Sequence, residues 1–250
     1  DRDSRLRQTA FDWLRRGKRD SGSAEGDSPR FWYDASMADR RILLALLLAF
    51  AAGPYFLNLG ATSVIDANEA FYAETPRAMI ESGNYISPTF NDEPRLNKPP
   101  LSYWVVAAFY RAAGVSLAAS RLPIALGAMV ILGTAFLLGR QAFSARAGWL
   151  AAITLAATPR MLLFSRRIII DIYTAMFLGL TLLCFLMAEA DPGKRRRWLA
   201  AMYVAVGLGI LVKGPVAVAV PGLVFLVYLL STRQLRSVGR MMLPAGVLIV

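Results

Sequence analysis

Six apolar runs dominate this 250-residue chain, and each is 15 to 19 residues long. They occupy 42–59, 122–139, 147–164, 172–190, 198–212 and 216–230, and a seventh run opens at 241. A helix needs about 20 apolar residues to cross a bilayer, so runs of this length predict transmembrane helices. Because lipid cannot satisfy backbone polar groups, we expect an all-α polytopic membrane protein.

The composition agrees with a membrane protein and argues against a nucleic-acid partner. Hydrophobic residues make up 56% of the chain, and the formal net charge is +11. The Lys and Arg residues between the runs lie in short turns, which is typical of membrane topology signals. The single cysteine, Cys184, lies inside an apolar run, so no disulfide framework exists, and the chain has no histidine.

The two ends of the chain differ in character. Residues 1–40 contain nine Lys or Arg and eight Asp or Glu, which predicts a disordered cytoplasmic tail. Residues 41–250 are predicted to form a transmembrane domain of about seven spans, the last of them truncated. The chain begins at Asp1 rather than Met and stops at Val250 inside an apolar run, so we expect a piece of a longer protein.

Charge in the connecting segments predicts the orientation. The turns 140–147, 191–197 and 231–240 hold nine Lys or Arg against one acid, Asp191, and are therefore predicted to be cytoplasmic. The segment 61–100 has six acids and three bases and is predicted to lie outside. The turns 165–171 and 212–215 then also reach the outer surface.

This orientation permits only one crossing between residues 100 and 140, although two apolar runs lie there. The run 101–115 is short and contains Arg111, so we expect 99–115 to be an amphipathic juxtamembrane helix at the outer surface. The external loop is thus predicted to extend over 61–120. Tyr103 and Trp104 are expected to join the aromatic belt at the membrane interface.

A carboxylate-rich helix is predicted at the start of this loop. Asp66 precedes Glu69 by three residues, which is a capping-box pattern, and Gly83 marks the expected end. Pro76 is expected to kink or break the helix. Capping alone does not explain several acids beside lipid, so a catalytic role for Asp66 or Glu69 is the favoured interpretation and pure capping the alternative.

Cations at the outer surface form the other half of the candidate site. Lys98 precedes a Pro-Pro pair, Arg166 and Arg167 lie in an outer turn, and Lys213 precedes Gly-Pro. Together they predict a basic ring that holds a lipid phosphate and faces several carboxylates, and Asp171 falls at the entry to the next span. Snorkelling of Lys98, an Arg–Asp structural pair and a helix C-terminal role for Lys213 are the simpler alternatives.

At these residues the chain resembles the bacterial protein O-mannosyltransferases and lipid A aminoarabinose transferases, glycosyltransferases of the GT-C fold. The resemblance covers about 60–250 and rests on motifs in a characteristic order. These motifs are "YAE" (72–74), "RAMIESGNY" (77–85), "KPPLSYW" (98–104), "RLP" (121–123), "SRR…D" (165–171) and "KGP" (213–215). The resemblance implies a GT-C-like helix bundle with juxtamembrane helices in its first external loop.

The resemblance also implies roles for individual residues, with three departures from the family pattern. The usual loop pattern Asp-Glu-x-Arg-Tyr-Ala-Glu is here Asn68-Glu69-Ala70-Phe71-Tyr72-Ala73-Glu74, and Asn97 replaces the Glu before the KPP lysine. The base role therefore passes to Asp66 or Glu69, and the claim for a divalent metal cofactor weakens at Asn97. Asp171 completes the predicted catalytic set. The implied substrate-binding residues are Asn68, Tyr72, Arg77, Asn97, Lys98, Arg166, Arg167 and Lys213.

The resulting hypothesis is a multi-pass glycosyltransferase of the bacterial inner membrane. It would move a sugar from a polyprenyl-phosphate carrier to a lipid or protein acceptor, with a cytoplasmic N-terminus and a periplasmic site among membrane lipids. A non-enzymatic transporter of lipid-linked sugar is the rival, since it would use the same cations without a base. A degenerate homologue that binds the carrier without transfer is a third interpretation.

Overall fold

The computed structural model of the chain describes residues 53–64, 66–91 and 93–231, which are almost entirely helical. The predicted tail 1–40, most of the first predicted span and the last predicted span lie outside the described residues. The elements in chain order are α1 (Ala67–Ser82), β1 (Thr89–Phe90), β2 (Glu93–Pro94), α2 (Leu101–Ala113), α3 (Leu117–Ala142), α4 (Ala145–Ala156), α5 (Pro159–Ser165), α6 (Asp171–Ala190), a 3-10 turn (Pro192–Lys194), α7 (Arg195–Lys213) and α8 (Val216–Ser231).

Two helices of the described part, α3 and α6, are long and apolar enough to cross a membrane. A third span is formed if α4 and α5, which meet at an angle of 66°, are counted as one broken helix. Helix α7 contains the predicted span 198–212, but charged residues occupy both of its ends. Helix α8 is apolar and has 16 residues. Large apolar side chains such as Leu150 and Leu223 are about two-thirds exposed, as expected for a lipid-facing surface.

Glycines bring α3 and α4 into close contact. A Cβ atom at Gly139 would lie 2.8 Å from the Cα atom of Gly148, and a Cβ atom at Gly148 would lie 2.5 Å from the carbonyl oxygen of Phe136. Small residues allow such close approach of backbones in membrane helix pairs. The turn between the two helices is capped by Ser144, whose hydroxyl accepts from the amide of Ala147.

The loop before α3 folds back onto the bundle. Helix α1 packs on α2, α2 packs on α3, and β1 and β2 form a short antiparallel hairpin beside α1. The buried side chains of these elements form one core with the ends of α3 and α6; Tyr55, Tyr103, Ile124 and Ile168 are each at most 1% exposed. The hydrogen bond from the Tyr110 hydroxyl to the carbonyl of Ala73, at 3.1 Å, ties α2 to α1.

The predicted boundaries of the loop helices agree with the structure. Helix α1 begins after Asp66 and ends at Gly83, which has φ 71° in the left-handed region. The helix is continuous through Pro76, so the alternative of a break there is wrong. Helix α2 begins directly after the Pro-Pro pair and ends at Gly114, within the predicted range 99–115.

Candidate functional site

Asp66 is the N-terminal cap of α1. Its Oδ1 atom accepts hydrogen bonds from the backbone amide of Asn68 at 3.0 Å and from the side-chain Nδ2 of Asn68 at 3.3 Å. Both side chains are exposed to solvent. The cap half of the predicted capping box is therefore confirmed, and the carboxylate stays accessible to a substrate.

Glu69 does not reach back to the cap, so the reciprocal half of the capping box is wrong. Its side chain turns inward and is 2% exposed. The Oε1 atom accepts from Nε of Arg121 at 2.8 Å and from the backbone amide of Ile168 at 3.2 Å. A buried ion pair with a distant arginine outweighs the local cap because both charges would otherwise lie unpaired in the core.

Arg121, which begins the motif "RLP" but received no predicted role of its own, is a structural residue of this site. It is 0% exposed, and its Nη1 atom donates to the carbonyls of Leu59 and Thr62 at 2.7 and 2.8 Å. Together with Glu69 it joins the first loop, α3 and the turn before α6. An arginine one turn inside an otherwise apolar helix is the sequence signal that points to such a partner.

Exposed ion pairs occupy the outer face of α1. Arg77 donates from Nε to Oε1 of Glu81 at 2.8 Å and lies 3.7 Å from Oε2 of Glu74. These pairs span one helical turn, and all three side chains are about half exposed. The geometry gives Arg77 two carboxylate partners on the surface and does not aim it at the other candidate residues.

An aromatic cluster lies between α1, the hairpin and α2. The rings of Tyr72 and Tyr103 stack with centroids 5.3 Å apart. Tyr103 is 0% exposed, so the prediction that it belongs to an interfacial belt is wrong, because α1 covers it. Trp104 is 37% exposed and donates from Nε1 to the carbonyl of Tyr85 at 2.7 Å.

Arg95 is a second residue that the sequence analysis did not single out. Its guanidinium carbon lies 3.6 Å from the centroid of the Phe71 ring, and its Nε donates to the hydroxyl of Tyr103 at 3.3 Å. Burial raises the pKa of Tyr72, the nearby Tyr103 and Asp171 raise it further, and Arg95 opposes them. Arg95 therefore links the hairpin to α1 through Phe71 and to α2 through Tyr103.

Asp171 and Lys213 form an ion pair at one end of the bundle. Asp171 is the first residue of α6, Lys213 is the last residue of α7, and the Lys213 Nζ atom contacts Oδ1 of Asp171. Gly214 follows with φ 73° and ends α7. The side chains are 52% and 33% exposed, so this pair meets solvent. The predicted structural pair between Asp171 and an arginine of the preceding turn is therefore wrong within the described residues, because Asp171 pairs with Lys213 instead.

The two arginines of that turn differ. Arg166 donates to the backbone carbonyls of Pro54 and Leu57, so it fastens the end of the first apolar run to the turn. Within the described ranges, Arg167 has no side-chain hydrogen bond or ion pair. Of the predicted basic ring, Arg166 and Lys213 are thus already engaged, whereas Arg167 is available to a ligand.

Lys98 and Asn97 line an open recess of about 320 Å³ just before α2. Its other lining residues are Ile86, Pro88, Leu96, Pro99 and Pro100. Asn97 supplies an amide here rather than a carboxylate. In the described part of the chain, no three His, Cys, Asp or Glu side chains come together.

An apolar groove of about 380 Å³ runs between α2, α3, α6 and α7. Tyr173 and Val212 line it, and these residues are the close chain neighbours of Asp171 and Lys213. The Tyr173 hydroxyl is buried and has no hydrogen-bond partner in the described residues. The groove therefore offers an apolar surface whose lining includes close chain neighbours of the charged pair.

Known proteins resemble this chain in sequence and in architecture. The sequence profile of the dolichyl-phosphate-mannose-protein mannosyltransferase family matches residues 97–250. An uncharacterized protein of Aquifex aeolicus (strain VF5) is 33% identical over 78% of this chain and 39% of its own length. The undecaprenyl phosphate-alpha-4-amino-4-deoxy-L-arabinose arabinosyl transferase of Pseudomonas savastanoi pv. phaseolicola (strain 1448A / Race 6) is 29% identical over 78% of this chain and 37% of its own.

Solved structures agree with the sequence matches. The crystal structure of ArnT from Cupriavidus metallidurans in the apo state superposes with a TM-score of 0.78 at 30% identity, over 86% of this chain and 40% of that one. The structure of the same protein bound to undecaprenyl phosphate gives a TM-score of 0.79 at 31% identity, over 83% of this chain and 39% of that one. The chain thus spans about two-fifths of the length of these relatives.

These matches confirm the predicted family resemblance and the predicted GT-C-like helical membrane fold. The apolar helices and the matched relatives make it part of an integral, multi-pass membrane protein. The chain belongs to the dolichyl-phosphate-mannose-protein mannosyltransferase family.

Proposed function

We propose that the protein is a glycosyltransferase that moves a sugar from a polyprenyl-phosphate carrier to a lipid or protein acceptor. The observation that carries the proposal is the apolar groove whose lining residues Tyr173 and Val212 are close chain neighbours of the Asp171–Lys213 pair. A polyprenyl phosphate has a long apolar tail and a charged head, so it matches a groove of this kind. The similarity to ArnT bound to undecaprenyl phosphate supports the same carrier class.

The chemistry is a displacement at the sugar carbon that carries the phosphate. A carboxylate takes the proton of the acceptor hydroxyl, the hydroxyl oxygen attacks that carbon, and the bond to the phosphate oxygen breaks. The sugar stays on the acceptor, and the polyprenyl phosphate leaves with the bonding electron pair. Cations near the departing phosphate stabilise its growing charge.

The contacts favour particular residues for these roles. Asp66 is the preferred base because its carboxylate is exposed, whereas Glu69 is enclosed by Arg121. Lys98 and Arg167 are available for the phosphate, while Arg166 mainly holds the loop. Asp171 orients the sugar or Lys213, with which it pairs. Because Asn97 is an amide and not a carboxylate, the proposed mechanism contains no metal-dependent step.

The site belongs, in this proposal, to the periplasmic face of a bacterial inner membrane, and the N-terminus to the cytoplasm. The charge bias of the turns supports this orientation. The contact between Asp171 and Lys213 and the bond between Glu69 and the amide of Ile168 support a single face, because they join all three predicted external segments.

A transfer assay tests the proposal against its two rivals. The intact parent protein is reconstituted in liposomes with a polyprenyl-phosphate sugar that carries an isotopic label, together with a membrane extract as acceptor source. We expect labelled acceptor and free polyprenyl phosphate. Movement of the intact labelled lipid between leaflets would instead identify a transporter. Binding of the carrier without cleavage would identify a degenerate homologue.

A further inference from the structure

We propose that Arg95 is a phosphate-binding residue of this site and receives the phosphate group of a lipid that enters from the membrane. The inference rests on the proposed function and adds a residue to it. Four observations carry it: the platform under the guanidinium, the anchoring of its backbone, its unused donors and its position beside the other candidate groups.

The guanidinium lies on an aromatic platform. Its carbon is 3.6 Å from the centroid of the Phe71 ring and 6.0 Å from that of the Phe90 ring. The two rings meet edge to face with centroids 4.7 Å apart. Stacking on a ring face holds the planar guanidinium in one orientation and leaves its N–H edge free to bind.

The backbone of Arg95 is fixed as well. Arg95 directly follows β2, and its amide donates to the carbonyl of Pro88 at 2.7 Å, which closes the hairpin. The hydrogen bond from Nε to Tyr103 then fixes the side chain to α2. A side chain held at both ends loses little conformational entropy when a ligand binds.

Most of the donors of Arg95 are unused. A guanidinium has five N–H groups, and only Nε has a partner in the described part of the chain. No carboxylate there lies within ion-pair distance of Arg95. The side chain is partly exposed, so the two terminal amino groups can reach a ligand. A planar pair of N–H donors matches two phosphate oxygens.

The surroundings place Arg95 beside other candidate residues. It lies three residues before Lys98, and its partner Tyr103 stacks on Tyr72 with ring centroids 5.3 Å apart. A simple packing role is the alternative, in which Arg95 only fastens the hairpin to α1 and α2. The two roles differ in what a substitution changes: a binding role changes the preference for phosphate, whereas a packing role changes stability alone.

The test uses the intact parent protein and two lipids that differ only in the head group, undecaprenyl phosphate and undecaprenol. The ratio of their dissociation constants measures the preference for phosphate. We expect Arg95→Gln to reduce this preference about 10-fold or more, the factor expected for charge-assisted hydrogen bonds. Arg111→Gln is the matched control, since Arg111 is an exposed arginine near the end of α2, and it should leave the ratio unchanged.

Arg95→Lys decides the matter if Arg95→Gln does not fold. Lysine keeps the charge but loses the planar fork, so the preference for phosphate should fall about 3-fold or more at unchanged stability.

The phosphate that Arg95 binds could also belong to a phosphorylated acceptor lipid, so the ratio of dissociation constants is also measured for lipid A with and without its phosphates. A loss confined to that pair supports the proposal and assigns the group to the acceptor.

The outcomes separate the two proposals. If the wild-type protein binds undecaprenol as tightly as undecaprenyl phosphate, the proposed carrier is wrong. A second outcome concerns Arg95 alone. In it, the wild-type protein binds the phosphate form more tightly in at least one lipid pair, while a folded Arg95 variant shows the same ratio of dissociation constants as the wild type in both pairs. Arg95 is then a packing residue and the inference is wrong, but the carrier proposal stands.

Discussion

Glu69 of α1 and Arg121 of α3 form an ion pair at 2.8 Å with side chains that are 2% and 1% exposed. The two residues are 52 positions apart in sequence, and their pair holds the loop that carries α1 on the transmembrane bundle. The buried arginine also donates from Nη1 to the carbonyls of Leu59 and Thr62 and from Nη2 to the carbonyl of Ser63. A buried pair with this many hydrogen bonds sets the position of α1 relative to the turn before α6.

Removing one partner of this pair should destabilise the protein strongly. Glu69→Ala leaves the Arg121 charge buried without a counter-charge, and we expect a loss of about 3–5 kcal/mol. Glu81→Ala is the matched control, because Glu81 accepts from Arg77 at the same 2.8 Å distance on the same helix but in solvent. Its loss should stay below about 1 kcal/mol. Thermal unfolding in detergent measures both, and equal losses would contradict a structural role for Glu69.

Asp66→Asn should separate capping from catalysis. Asparagine caps helices about as well as aspartate, so the melting temperature should not change. It cannot accept the proton of an acceptor hydroxyl, so we expect transfer to fall at least about 100-fold, as for loss of a general base. The labelled-sugar assay and a melting curve on the same preparation give both values. Full transfer by the Asn variant would move the base role away from Asp66.

Part of this site was predictable from local sequence. The bounds of α1 follow from Asp66 and Gly83, and the start of α2 follows from the Pro-Pro pair after Lys98, because caps and prolines act within one helical turn. The inward turn of Glu69 was not predictable in the same way. A local capping box and a distant buried arginine compete for that carboxylate, and only the folded chain brings Arg121 near.

The other differences between the sequence predictions and the structure also arise from contacts between residues that are distant in sequence. Arg95 has a role only because the hairpin places it over Phe71, a contact that no local pattern encodes. Tyr103 is of a residue type that is common at membrane interfaces, but α1 covers its side chain. The alternative prediction for Lys213 is confirmed, since it is the last residue of α7 and a cation that directly precedes a glycine. Its partner Asp171 lies 42 residues away and appears only when α6 and α7 pack together.

The contact between α3 and α4 should not tolerate a methyl group. Gly139→Ala would place its Cβ 2.8 Å from Gly148, so we expect a loss of about 1–3 kcal/mol from overpacking. Gly133→Ala lies in the same helix with nothing within 4 Å and should be neutral or stabilising by up to about 1 kcal/mol. Melting temperatures of the two variants provide the measurement. An unchanged value for Gly139→Ala would show that the two helices separate more easily than the structure indicates.

Labelling of single cysteines in intact cells should report the orientation. With Cys184 replaced, exposed positions are changed one at a time: Glu81 and Pro215 at the proposed outer end, and Gln141 and Pro192 at the other. A membrane-impermeant maleimide should label the first two in intact cells and the other two only after permeabilisation. The reverse pattern would place the candidate site in the cytoplasm.

Transfer by Asp171→Asn tests the central claim most directly. The substitution keeps the size of the side chain and removes the charge that meets Lys213, so the fold should persist because the pair is partly exposed. Asp191→Asn is the matched control at the other end of α6, where Asp191 lies 3.5 Å from Lys194. We predict that Asp171→Asn abolishes transfer of the labelled sugar at an unchanged melting temperature, while Asp191→Asn keeps the wild-type rate. Full transfer by folded Asp171→Asn would contradict the proposed site.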